Sequence, residues 1–174
     1  MVRVLTFILL YTVCWASTTD SFAHHQDPPG LTEVNFRVKG VGLGSSYAVV
    51  LRQLGRPVSS KREKILDDTC DSPHTSLWLS YKGAVVELRG DLAGRNFDVV
   101  SMEVTSSSLL ITPGIKIGMT EQDVRSKLGG APWRVMNESG FRILDYVTKG
   151  NDGGARLYFR EGRLVKVHWN YTLC

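Results

Sequence analysis

Few residues of this chain have the types and spacing for chemistry. Nucleophilic catalysis needs a nucleophile, a base and a group that orients the base. The histidines are His24, His25, His74 and His168, and the first two fall in a polar lead segment. Ser46 and Thr120 have a simpler task, as hydroxyl caps of short helices. Gly42-Leu43-Gly44-Ser45-Ser46 looks like a phosphate-cradling turn, but no lysine follows at P-loop spacing. Asp67, Asp68 and Asp71 lack the glycine and glutamate spacing of a calcium loop and read as a solvated turn. His74 near Cys70, without a CxxC pair, is a poor zinc site, and His24-His25-Gln26-Asp27 would take up metal only adventitiously. No metal site and no cofactor is expected. Asn137-Glu138-Ser139 and Asn170-Tyr171-Thr172 match the glycosylation sequon, which matters only on a eukaryotic secretory route.

Binding chemistry is better represented, on segments with strand rhythm. Leu79-Ser80-Tyr81 matches Leu144-Asp145-Tyr146, and Val86-Glu87-Leu88-Arg89 matches Leu157-Tyr158-Phe159-Arg160. Val100 to Val104 matches Val165 to Trp169 in the same way. Alternation puts Val86, Leu88, Val100, Met102 and Val104 on one face, and likewise Leu157, Phe159, Val165, Val167 and Trp169. The opposite face carries Trp78, Ser80, Glu87, Arg89, Ser101 and Glu103, then Asp145, Tyr158, Arg160, Lys166, His168 and Asn170. Tyr, Trp and Arg are frequent interface anchors. The binding residues expected on this face are Tyr158 and Arg160, flanked by Lys166 and His168, with Trp78 and Arg89 in the first set. His168 is expected to titrate near its ordinary pKa of about 6.5.

Two short helices must position these strands. Ser46 opens an apolar-periodic run through Val50, Leu51 and Leu54 that stops at Gly55-Arg56-Pro57. Thr120 opens another through Val124 and Leu128, stopping at Gly129-Gly130-Ala131-Pro132, with Asp123 placed to suit the helix dipole. Turns are expected at Lys82-Gly83, Asp91 to Asn96, Lys149 to Gly154 and Glu161-Gly162. The fold class is α+β: two tandem repeats, each a short helix packed on a three-stranded antiparallel sheet. The first repeat spans 36–105 and the second 114–174, joined by a linker at 106–113. Within that linker, Leu109-Leu110-Ile111 suggests a strand extension.

The whole chain has 174 residues, a formal charge of +4, 43% hydrophobic, 22% charged and 9% aromatic residues. That composition is ordinary for a folded domain and excludes wholesale disorder or a fibrous repeat. The basic excess is mild and not gathered into a tract, so nucleic acid is not an expected partner. No stretch is long and apolar enough for a membrane span. Met1-Val2-Arg3 followed by the apolar run Val4 to Val13 reads as a signal peptide. Cleavage fits after Ala23, or less well after Ala16, giving a signal at 1–23 and a flexible lead at 24–35. The expected location is periplasmic or secreted. Of three cysteines, Cys14 leaves with the signal, and Cys70 and Cys174 remain to pair in an oxidising compartment. A loop of about 100 residues would contribute on the order of 4–5 kcal/mol through the unfolded chain.

The motifs Leu43-Gly44-Ser45-Ser46…Leu54-Gly55-Arg56-Pro57 and Ile117-Gly118-Met119-Thr120…Leu128-Gly129…Pro132, with the hairpin Phe159-Arg160-Glu161-Gly162-Arg163-Leu164-Val165, resemble the SmpA/OmlA (BamE-like) family. Two copies in one chain resemble the tandem layout of beta-lactamase inhibitory proteins. The resemblance covers most of residues 40–171 and implies an exported binding module without catalytic apparatus. The chain departs from the family in lacking a lipobox cysteine and in carrying two copies. The expected function is therefore non-enzymatic docking of a protein partner through a sheet face, in envelope assembly or as an inhibitor. Two alternatives stand beside it. One is a small periplasmic or secreted hydrolase with His168 as base and Asp145 or Glu103 as orienter. The other is an envelope protein making weak contact with anionic lipid or polysaccharide.

Overall fold

Each helix begins just after a hydroxyl residue and ends at a glycine, as the spacing predicts. The computed structural model describes residues 35–66, 72–147 and 153–171. The expected signal peptide, nearly all of the lead segment, and Cys70 and Cys174 lie outside the described residues. In chain order the elements are β1 (Arg37–Val38), α1 (Tyr47–Leu54), β2 (Ser59–Ile65), β3 (His74–Tyr81), β4 (Ala84–Gly90) and β5 (Asp98–Val104). They continue with β6 (Ile111–Thr112), α2 (Glu121–Leu128), β7 (Arg134–Glu138), β8 (Phe141–Val147), β9 (Gly153–Arg160) and β10 (Arg163–Tyr171). Thr120 closes a capping box: its hydroxyl accepts from the Asp123 N–H, and the Asp123 carboxylate accepts from the Thr120 N–H. Ser46 sits at the equivalent N-cap of α1, but its hydroxyl makes no capping bond. Gly55 and Gly129 end the helices, each donating its N–H back into the last turn, to Leu51 and Arg125.

The sheet departs from the expected arrangement. It is one antiparallel sheet of eight strands in the order β2-β3-β4-β5-β10-β9-β8-β7, rather than two sheets of three. Each half carries four of these strands. β2 and β7 escape period-two reading because they are the sheet's edges: exposed on both faces, they need no apolar alternation. The halves join where β5 pairs β10, with Val104 opposite Val167 and Ser101 opposite Asn170. The expected linker contains β6, which pairs with β1 as a separate two-stranded ribbon. Gly153 and Gly154 lie in β9 rather than in a turn.

Both helices and the small ribbon share one core with one face of the large sheet. Val50 of α1, Val124 and Leu128 of α2, and Val38 and Ile111 of the ribbon join Leu79, Val86, Leu88, Met102, Val104, Leu144, Tyr146, Leu157, Phe159, Val167 and Trp169. Each such side chain is worth roughly 1.5–3 kcal/mol of burial, which is why helices this short persist. Val100 and Val165, expected in this core, are only half-buried, and Val99 and Leu164 take their places. The cause is a bulge at the same point of each half: pairing shifts between Glu87/Leu88 and their β5 partners, and again between Leu164 and Lys166. Matching hydrogen bonds hold the inward residues. Gly44 donates to Val99, which donates to Ser45; Gly118 donates to Leu164, which donates to Met119.

Candidate protein-binding face

Among the described residues, no element covers the other side of the large sheet. Cross-strand register lays its side chains out in rows. One row runs Ser80, Val85, Glu103, His168, Arg156, Asp145, Arg134 across six contiguous pairings. A second runs Lys61, Trp78, Glu87, Ser101, Asn170. All six expected binding residues therefore lie on strands β3, β4, β9 and β10, with their side chains on this face.

They do not form one cluster. Tyr158, Arg160, Lys166 and His168 stand together on β9 and β10. Trp78 is on β3, four strands from Tyr158, which at ~4.8 Å per strand is about 19 Å. Its ring carries the Lys61 ammonium at 5.2 Å from the centroid, and Lys61 also pairs with Glu63 at 2.6 Å. Arg89 is half-buried opposite Ser76 and Asp98.

The β9–β10 cluster is tied together by cation–aromatic contacts. Lys166 Nζ lies 4.2 Å from the Tyr158 ring centroid. Tyr158 meets Phe141 edge to face, centroids 5.9 Å apart at 88°. The Arg160 guanidinium lies 4.4 Å from the Phe141 centroid. The result is a ladder of cation, ring, ring, cation, in which the rings hold both long side chains against the sheet. Phe141 is the member that the sequence reading missed. It begins β8 directly after the two-residue turn Ser139-Gly140, and that hairpin escapes reading because β7 shows no alternation.

Charge around the ladder is mostly neutralised. Glu103 pairs with Lys166 at 3.3 Å. Asp145 stands on the open face as expected, but Arg134 at 3.1 Å and Arg156 at 3.3 Å cover it there and leave it buried. That pairing also removes it as an orienter of His168, since Arg156 stands between them in the register. Arg160 has no carboxylate partner among the described residues and is exposed. An open hollow of about 420 Å³ adjoins the ladder at Phe141, lined also by Glu138, Arg142, Phe159 and Glu161.

His168 sits at the junction of the halves. Its Nε2 is 3.0 Å from Ser101 Oγ. Burial holds the imidazole below its ordinary 6.5; Lys166 and Arg156 push the same way, and Glu103 opposes them. The expected titration near 6.5 is thus displaced downward, and the ring is neutral at pH 7. Among the described residues there is no group of three or more metal-ligating side chains, and no helix long and apolar enough to cross a membrane.

Neither a family model nor a curated protein matches the chain, so the likeness to the SmpA/OmlA family gains no support from either. Among solved structures, it is similar to a "putative beta-lactamase inhibitor protein" from Streptococcus mutans. The two are 19% identical, with 75% of this chain and 85% of that chain covered, at a TM-score of 0.28.

Proposed function

We propose that this chain is an exported, non-enzymatic binding module that docks a protein partner through the uncovered face of its sheet. The observation that carries the reading is the ladder Lys166–Tyr158–Phe141–Arg160. It offers preorganised aromatic area beside a cation with no carboxylate partner among the described residues. A partner that fits presents a carboxylate to Arg160 and an apolar side chain to Tyr158 and Phe141. The role is that of an inhibitor or of an assembly factor in the cell envelope. The two halves are copies of one unit, a helix followed by four strands, and residues 1–23 direct export. A Cys70–Cys174 bridge then ties down the C-terminus, and intact mass before and after reduction and alkylation reads it directly.

The test is capture of partners from envelope or culture fluid by the wild type and by the Tyr158→Ala, Arg160→Ala double variant. Each substitution weakens binding by roughly 1–3 kcal/mol and changes stability by less than about 1 kcal/mol. Identical partners at identical strength from both proteins would end this reading.

One observation favours a second reading, a serine hydrolase: Ser101 Oγ lies within hydrogen-bond reach of a neutral His168. An organophosphonate probe labels Ser101 in the wild type and not in Ser101→Ala if that reading holds. No labelling leaves the pair as a structural hydrogen bond.

A further inference from the structure

The eight-stranded sheet ends in two edges of different character. β2 presents Lys61, Arg62, Glu63 and Lys64, all exposed, a density of charge that resists pairing with another chain. β7 presents Arg134, Val135, Met136, Asn137 and Glu138, with one base and one acid at opposite ends. Val135 is 41% exposed, and Trp133, just before the strand, is 53% exposed. Among the described residues, no strand pairs with the outer side of β7.

The main-chain groups on that side can be assigned. The turn Ser139-Gly140 has φ values of 51° and 79°, the signature of a two-residue hairpin that makes Glu138–Phe141 a hydrogen-bonded pair. Alternation from there makes Met136–Ile143 and Arg134–Asp145 hydrogen-bonded as well. The N–H and C=O groups of Val135 and Asn137 therefore point to the open side.

We propose that this edge pairs with the same edge of a second copy of the chain, antiparallel about a two-fold axis at Met136. In that register Val135 of each copy exchanges both main-chain bonds with Asn137 of the other, satisfying the exposed groups. Met136 faces Met136, and Arg134 of each copy faces Glu138 of the other. The neighbouring registers of the same parity, centred on Val135 or Asn137, place Arg134 opposite Met136 or Gly140 and leave Glu138 without a base. Charge complementarity thus selects one register. Both charges are available: Glu138 is exposed with no ion-pair partner among the described residues, and Arg134 engages Asp145 through Nε and Nη2, leaving Nη1 for a new partner. A patch complementary to itself is what a closed two-fold dimer requires. A five-residue edge buries less than the ~1,000 Å² of a stable interface, so the dimer is weak and forms at high concentration. It sets two ladders on one continuous face, but it rests on the edge alone and stands or falls independently of the binding role.

Sedimentation equilibrium of the full chain up to about 1 mM reads the association. The average mass rises toward twice that of the monomer. Glu138→Arg, at an exposed position where circular dichroism checks the fold, raises the dissociation constant at least tenfold. Lys64→Glu on the opposite edge leaves it unchanged. Met136→Cys, oxidised at high concentration, yields by mass spectrometry a pair of identical peptides joined by a disulfide at position 136. A wild type monomeric at every concentration overturns the proposal. So does a dimer that ignores Glu138→Arg, responds to Lys64→Glu, or cross-links only through the native cysteines.

Discussion

The imidazole of His168 is ringed by Ser101, Glu103, Lys166 and Arg156, and its proton affinity reports how dry the junction between the halves is. Because the folded value lies below the ordinary 6.5, the unfolded chain takes up a proton first as pH falls. The contribution of the neutral ring to stability is complete above 6.5 and is lost as pH drops through the folded value. NMR titration should place His168 below 6.5, and urea unfolding should show stability declining below that pH in the wild type but not in His168→Gln. Glu121 acts in a separate, more acidic window. Its hydrogen bonds with Arg142 and then Arg125 hold its carboxyl below 4.5, so their contribution is lost only below that value. At this scale, the outward positions of Tyr158, Arg160, Lys166 and His168 were legible because β9 and the second half of β10 keep strict alternation. Phe141 was not, since its role depends on a hairpin partner with no pattern of its own. The buried state of Asp145 was not legible either, because two arginines on neighbouring strands create it.

Among the elements, the helices make the sharpest contrast. Thr120 makes a reciprocal cap, and Thr120→Ala should cost about 1 kcal/mol. Ser46 occupies the same place without a side-chain bond, and the start of α1 is held instead by the Tyr47 N–H on the Phe97 carbonyl at 2.9 Å. Ser46→Ala should therefore cost less than about 0.5 kcal/mol. Denaturant unfolding of the two variants measures the difference. Both helices were legible from hydroxyl, period and glycine, but the use of each hydroxyl was not, because it depends on the residue three positions on. Asp123 can reach back to Thr120; Val49 cannot reach back to Ser46. The strands show how period-two reading fails: counting outward from Met102 or Val167 goes out of phase at the bulge, so alternation predicts Val100 and Val165 inside where Val99 and Leu164 belong.

At the scale of the whole molecule, a single core binds the halves, and Trp169 lies at its middle, stacked at a tilt 5.7 Å from Phe36. Its indole N–H is buried and has no hydrogen-bond partner among the described residues. Trp169→Ala should cost about 3–5 kcal/mol, a large part of the stability of a domain this size. Trp169→Phe should cost markedly less, about 1 kcal/mol, since it also removes a buried donor that is costly to leave unpaired. Thermal melts followed by circular dichroism separate the two. That the halves merge into one sheet was not legible, because nothing in a strand's own sequence says which distant strand it will meet. The β5–β10 ladder has a consequence in time. The other six pairings of the sheet all join consecutive strands, whereas Ser101 and His168 are 67 positions apart. Hairpins close in microseconds, but a ladder spanning that much chain carries a larger entropy of closure. The halves should therefore be largely formed when the transition state is crossed, with the seam zipping afterwards. A substitution confined to the seam, such as Ser101→Ala, should then accelerate unfolding and leave the refolding arm of the chevron in place.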